Sequence, residues 1–149
     1  MKIFETRTAP NPRRVRMFMA EKDLLDKAEF VEIDLQKGEN LTPAFVARNP
    51  MKKVPVMELD DGTCIAETMA ICRYLEESYP DTPSLLGDTP LEKAQLEQWL
   101  RWIELFFFMP TGSVVTSNAP ASRRRSAASA ISSGDVSSIS QTKRTTDCR

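Results

Sequence analysis

A chain of 149 residues with 20 Lys/Arg against 21 Asp/Glu has no overall basic field, which argues against a nucleic-acid-binding protein. Histidine is absent, which excludes Ser-His and Cys-His nucleophile systems and imidazole bases. No apolar stretch reaches membrane-spanning length, so no membrane partner is expected. The start Met1–Glu5 carries charges where a signal peptide needs its apolar centre, and the expected location is cytoplasmic. Cys64, Cys72 and Cys148 form no Cys-x-x-Cys pair and no zinc spacing, so free thiols and no metal are expected.

In chain order, Lys2–Glu5 alternates as a short strand does. Thr6–Pro12 is expected to be a loop with two prolines. A helix follows from about Arg13 to Lys22, with Val15, Phe18 and Met19 on its buried face. Phe30–Leu35 alternates again and is predicted as a second strand. Pro43–Arg48 is a short helix or helical turn. Val54–Leu59 and Thr63–Ala66 flank Asp60-Asp61-Gly62 and form a hairpin, because Asp-Gly supplies positive φ. A third helix runs from Thr68 to Ser78 and is stopped by Pro80 and Pro83. Its inward residues are Met69, Ile71, Cys72 and Leu75.

Tyr79–Asp88 reads as a linker. Thr89-Pro90-Leu91-Glu92 then opens a fourth helix, with Thr89 as the cap, Pro90 in the first helical position and Glu92 closing a capping box. This helix is expected to reach Phe108, and its many apolar residues call for partners on several sides. After Pro110 the composition changes. Residues 111–149 hold ten Ser, five Thr, no aromatic residue and the run Arg123-Arg124-Arg125. That composition buries too little apolar area to offset ordering, so disorder is expected. A truncated or frame-shifted gene product is the expected origin of this tail. The fourth helix would then lack its partners and expose Trp99, Trp102, Ile103 and Phe106.

The order β-α-β-α-β-β-α, with Ala9–Arg16 after the first strand, Lys52-Lys53-Val54-Pro55 before the third and Glu67-Thr68 opening the third helix, resembles the glutathione S-transferase family. The likeness is to bacterial transferases related to the theta and nu classes. The Val-Pro and Glu-Thr pairs, thirteen residues apart around an Asp-Gly hairpin, are the most specific part of it. The implied fold class is α/β. Residues 1–85 form a thioredoxin-like glutathione-binding domain, 86–110 the first helix of an all-helical second domain, and 111–149 a disordered or non-native tail. The resemblance implies transfer of the glutathione thiolate to an electrophile. Disulfide reduction and a non-catalytic glutathione-binding module are the alternatives. Glutathione would be a co-substrate with no further cofactor, the partner a small electrophile or disulfide, and the assembly a homodimer.

The resemblance also assigns residues. Val54 would pair with the cysteinyl backbone of glutathione beside a cis Pro55. On spacing alone an ordinary trans proline opening an edge strand fits equally. Glu67 and Thr68 would receive the γ-glutamyl group at a helix N-terminus, although a plain Thr cap explains the same residues. Lys53 and Asn40 would hold the glycyl carboxylate. The family's catalytic Ser position holds Ala9 here, which is a departure. Asn11 is the first candidate to stabilise the thiolate and Thr8 the second, with Arg13 and the start of the helix adding positive potential. Asn11 is equally placed to act as a turn or cap residue. Leu105, Phe108 and Met109 are candidates for an electrophile pocket or simply for core.

Overall fold

The strand patterns join into one mixed sheet. A computed structural model describes residues 1–110. The expectation of a disordered tail at 111–149 lies outside those residues. Met1–Trp102 is one unit, and a second begins at Ile103. In chain order, β1 (Lys2–Glu5) leads into α1 (Pro10–Glu21), β2 (Glu29–Glu32), α2 (Pro43–Arg48), β3 (Val56–Glu58), β4 (Cys64–Ala66), α3 (Thr68–Ser78) and α4 (Pro90–Ile103). The sheet order is β2-β1-β3-β4. β1 pairs parallel to β2 from Lys2↔Glu29 to Glu5↔Glu32. It pairs antiparallel to β3, and β3 to β4. This is the thioredoxin-like arrangement, with α1 and α3 packed against each other.

Helix α1 starts three residues earlier than the sequence pattern predicts. The sequence pattern places Pro10 and Pro12 in a loop, yet a proline in the first helical turn loses no hydrogen bond, because the first N–H groups have no helical partner. Pro12 joins Val15 and Met19 as the buried face. Val15 and Met19 meet Ile71, Cys72 and Leu75 of α3 and Ile3 and Met57 of the sheet in one core cluster. Each fully buried aliphatic side chain contributes about 1.5–3 kcal/mol. A second cluster, Phe4, Ile33, Phe45, Val54 and Val56, lies under α2. Strand β2 ends at Glu32, not Leu35, because its pairing with β1 ends there. Strand β3 begins at Val56, not Val54, because the register with β1 ends at Phe4↔Val56 and Pro55 has no N–H to extend it.

The hairpin turn is longer than a two-residue type. Gly62 N–H donates to Leu59 C=O at 3.0 Å and Leu59 N–H to Thr63 C=O at 2.8 Å. Gly62 alone holds the positive φ, at 86°. At the start of α4 the expected capping box is present. Glu92 N–H donates to Thr89 Oγ1 at 3.2 Å, and Thr89 N–H donates to Glu92 Oε2 at 2.9 Å. No residue of α4 is buried. Trp99 and Trp102 are exposed, their rings edge to face with centroids 5.0 Å apart. In the second unit, Glu104–Phe108 forms a π-helical segment.

Lys22, at the end of α1, is 1% exposed. Its ammonium donates to Glu76 Oε2 at 2.7 Å and to Pro83 C=O at 2.9 Å. The other Glu76 oxygen accepts from the N–H groups of Leu85 and Leu86 at 2.8 and 2.9 Å. One ion pair thus ties α1, α3 and the linker together. Burial alone would raise the Glu76 pKa, but the Lys22 hydrogen bond and the two backbone N–H groups outweigh it and lower the pKa. A carboxylate with a lowered folded pKa stabilises the fold above its ordinary value of 4.5, and the contribution fades as pH falls below that. Glu76→Gln leaves Lys22 buried without its counter-charge. Urea unfolding at pH 7 is expected to show a loss of about 3 kcal/mol. As pH falls below 4.5 the gap between the variant and the parent protein should narrow, because the stabilisation from the paired carboxylate declines as the unfolded carboxyl takes up its proton.

Candidate functional site

Strand β1 ends in the loop Thr6–Ala9, which is held in place by its own bonds. Thr6 Oγ1 donates to Ile33 C=O at 2.6 Å, and Ala9 N–H donates to Thr6 C=O at 2.9 Å. Ala9 is the N-cap of α1 and supplies no side-chain cap. Thr8 and Asn11 flank it, both exposed. The two candidates for thiolate stabilisation therefore lie at the positive end of α1 with side chains open to solvent. Thr8 and Ala9 also line a cavity of about 500 Å³ together with Thr6 and the segment from Glu32 to Gln36. Asn11 is not among its lining residues.

The first turns of α1 and α3 meet. Thr68 is 6% exposed, and its Oγ1 donates to Asn11 C=O at 3.4 Å. A contact this long holds the hydroxyl loosely, so its hydrogen can turn to a stronger acceptor. Glu67, the N-cap of α3, is exposed and sits at φ 76°, ψ 129°. That conformation is unusual for a residue with a Cβ and costs about 1–3 kcal/mol. Glu67 does not cap the helix with its side chain. The first N–H groups of α3, which follow it, have no helical partner.

The third part is the segment between α2 and β3. The Val54–Pro55 bond is cis. Val54 is buried to 8% exposure, and the β1–β3 register stops two residues beyond it, leaving the Val54 backbone outside that ladder. Lys53 is exposed, and no ion pair holds its ammonium among the described residues. Asn40 Nδ2 donates to Lys52 C=O at 2.8 Å, so this amide reaches the segment through its backbone. Lys52 itself adopts φ 58°. The structure thus places Lys53, Val54 and Pro55 on one segment, ties Asn40 to it through Lys52 C=O, and brings Asn11 and Thr68 into contact.

Asn49 belongs to this segment, although the sequence reading passed over it. It is 2% exposed. Its Nδ2 donates to Lys53 C=O at 2.8 Å, and its Oδ1 accepts from Met51 N–H at 3.0 Å. The signal was the dipeptide Asn49-Pro50, a turn starter in its own right.

Burial disfavours the thiolate at both cysteines among the described residues. Burial pushes the Cys72 thiol up to about 11, with Glu76 adding to it against Arg14, and burial raises Cys64 as well. Asp34, on the cavity wall, has its pKa lowered mainly by the backbone N–H of Lys37 and by the Lys37 side chain. Among the described residues no cluster of His, Cys, Asp and Glu is arranged to hold a metal ion. No helix of the described residues is long and apolar enough to cross a membrane.

Three comparisons bear on the site. Residues 8–78 match the family described as glutathione S-transferase, N-terminal domain. The chain is 46% identical over 110 residues to glutathione S-transferase 2 of Saccharomyces cerevisiae, covering 74% of this chain and 47% of that protein. It is 36% identical over 95 residues to maleylacetoacetate isomerase of Pseudomonas aeruginosa, covering 64% and 44%. Among solved structures, Gtt2 from Saccharomyces cerevisiae superposes with a TM-score of 0.67 at 47% identity, covering 70% of this chain and 50% of that one. The chain thus spans about half the length of the relatives it matches. The matched segment runs from the loop after β1 to the end of α3 and contains α1, β2, α2, β3, β4 and α3, so this chain carries an N-terminal domain of the glutathione S-transferase family.

Proposed function

We propose that the site binds reduced glutathione and, in a complete transferase, delivers its thiolate to an electrophile. The observation that carries the reading is the Val54 backbone left outside the ladder just before β3, next to Lys53 and to the Asn40 amide that holds Lys52 C=O. An extended peptide gains two hydrogen bonds by adding to such an edge. The cysteinyl unit of glutathione is the part with matching N–H and C=O groups. The γ-glutamyl carboxylate then goes to the start of α3, where the Thr68 hydroxyl and free N–H groups donate to it. The Glu67 carboxylate is left for the ammonium. Lys53 and Asn40 take the glycyl carboxylate.

Ala9 supplies no hydroxyl for the sulfur, so thiolate stabilisation falls to Asn11, with Thr8 as second contributor. An amide N–H₂ donates to a thiolate and accepts nothing from the thiol through that group. The end of α1 and Arg13 add positive potential. A second reading, a glutathione-binding module without chemistry, is favoured by one observation: Ala9, at the cap of α1, has neither hydroxyl nor thiol.

Calorimetric titration with reduced glutathione is expected to show one site on the chain. Absence of both heat and thermal shift contradicts glutathione binding. If the chain binds, conjugation of a chlorinated aromatic against reduction of a disulfide separates the transferase reaction from the reductase one, and failure of both favours the module. Asn11→Ala is expected to leave glutathione affinity within about twofold while moving the ionisation of the bound thiol up by roughly one unit, read from thiolate absorbance against pH. An unmoved ionisation removes Asn11 from the chemistry.

Glu67→Gly should separate stability from binding. Glycine relieves the positive φ, at some cost in unfolded-chain entropy, and the thermal midpoint is expected to rise by roughly 4 °C. Glutathione affinity is expected to fall about tenfold as the ammonium loses its partner. A variant that binds as tightly as the parent contradicts the assigned role of Glu67.

A further inference from the structure

Resting on the glutathione reading above, we infer that Asn49 is a positioning residue: its side-chain amide sets the direction of the Val54 N–H and so the strand edge that the cysteinyl unit pairs with. Asn49 is 2% exposed and has both side-chain functions engaged in the segment it precedes. Its own C=O accepts from Lys52 N–H at 2.9 Å, closing the turn Asn49–Lys52. Oδ1 holds Met51 N–H inside that turn, and Nδ2 reaches past it to Lys53 C=O. One buried amide therefore clamps both sides of the reversal between α2 and β3.

The consequence for Val54 is geometric. Lys53 C=O and Val54 N–H belong to the same peptide group, and only the Val54–Pro55 bond is cis among the described residues. In a planar trans peptide the C=O and N–H point in opposite directions. Fixing Lys53 C=O toward the buried Asn49 amide thus fixes Val54 N–H toward the opposite side. A residue before proline is held near the extended region, where its own N–H and C=O face the same way. Both groups needed for a two-point peptide pairing are then oriented by a side chain that itself never meets the ligand. The neighbouring Asn40 acts one peptide earlier, on Lys52 C=O, and does not reach this group.

Asparagine is the residue that does both jobs. Aspartate keeps the acceptor for Met51 N–H and loses the donor, placing a carboxylate against Lys53 C=O. Serine keeps a turn-type acceptor and is too short to reach Lys53. Without the donor the peptide is freer to rotate, and the ordered edge is lost before any contact with glutathione is removed.

The test is a cycle between protein and ligand on the full chain. Affinities of reduced glutathione, and of an analogue methylated on the cysteinyl amide nitrogen, are measured by calorimetry with the parent, Asn49→Asp and Asn49→Ser. In the parent, methylation removes the donor to Val54 C=O and sets a methyl group against the edge, which is expected to weaken binding at least tenfold. In either variant glutathione itself is expected to bind about tenfold more weakly, and methylation to cost less than threefold, because the edge it disrupts is no longer held. Either variant suffices if the other does not fold, and circular dichroism establishes which are folded. Methylation costing the same in parent and variants overturns the positioning role while leaving glutathione binding intact. A parent protein that does not bind glutathione overturns both.

Discussion

The site depends on one interruption in a ladder. Pro55 has no N–H, so the pairing of β3 with β1 begins only at Val56, and the backbone of Val54 is left outside it. Yet Val54 is not a loose loop residue. Its side chain is part of the cluster with Phe4, Ile33, Phe45 and Val56, so the unpaired backbone is anchored from beneath by apolar packing. Asn49 anchors the preceding peptide from the side. An unpaired edge that is also rigid costs little ordering when a peptide adds to it, which is what makes such an edge useful for recognition.

The second element of the site has the opposite character. At the start of α3 the attraction is electrostatic, from unpartnered N–H groups and a helix dipole, and it is held in place by contacts elsewhere. Ile71, Cys72 and Leu75 pack α3 onto α1 and the sheet. At the far end, the Lys22–Glu76 pair fastens the same two helices to the linker. The strained Glu67 lies at the exposed end of this rigid helix, where the surrounding packing sustains an unfavourable backbone conformation. Stability is concentrated at one end of α3 and the candidate binding groups at the other.

Much of this was legible in the sequence. The spans of α3 and β1 follow from local signals: Glu67-Thr68 before an apolar period, and alternation in Lys2–Glu5. Helix α1 was misjudged at its start because Pro10 and Pro12 punctuate loops and helix starts alike, and only packing of Pro12 against the core decides between them. Strands β2 and β3 came out shorter because pairing, not side-chain pattern, sets their ends. Lys22 reads as an exposed charge from its residue type, and its burial becomes visible only once Glu76, fifty-four residues away, is brought beside it. Asn49 escaped notice for the same reason. An Asn-Pro pair announces a turn, but its reach to Lys53 is a property of the folded turn. The residues assigned to glutathione came from family resemblance, and their chemistry in this chain rests on the proposal above.

The central claim is that Val54 and the start of α3 grip a single tripeptide. Titration of the isotopically labelled chain with reduced glutathione, followed through backbone amide signals, tests it most directly. The account predicts that the Val54 and Thr68 amides shift together and saturate with the same dissociation constant. Movement at Thr68 with a stationary Val54, or saturation of the two at different concentrations, would contradict it.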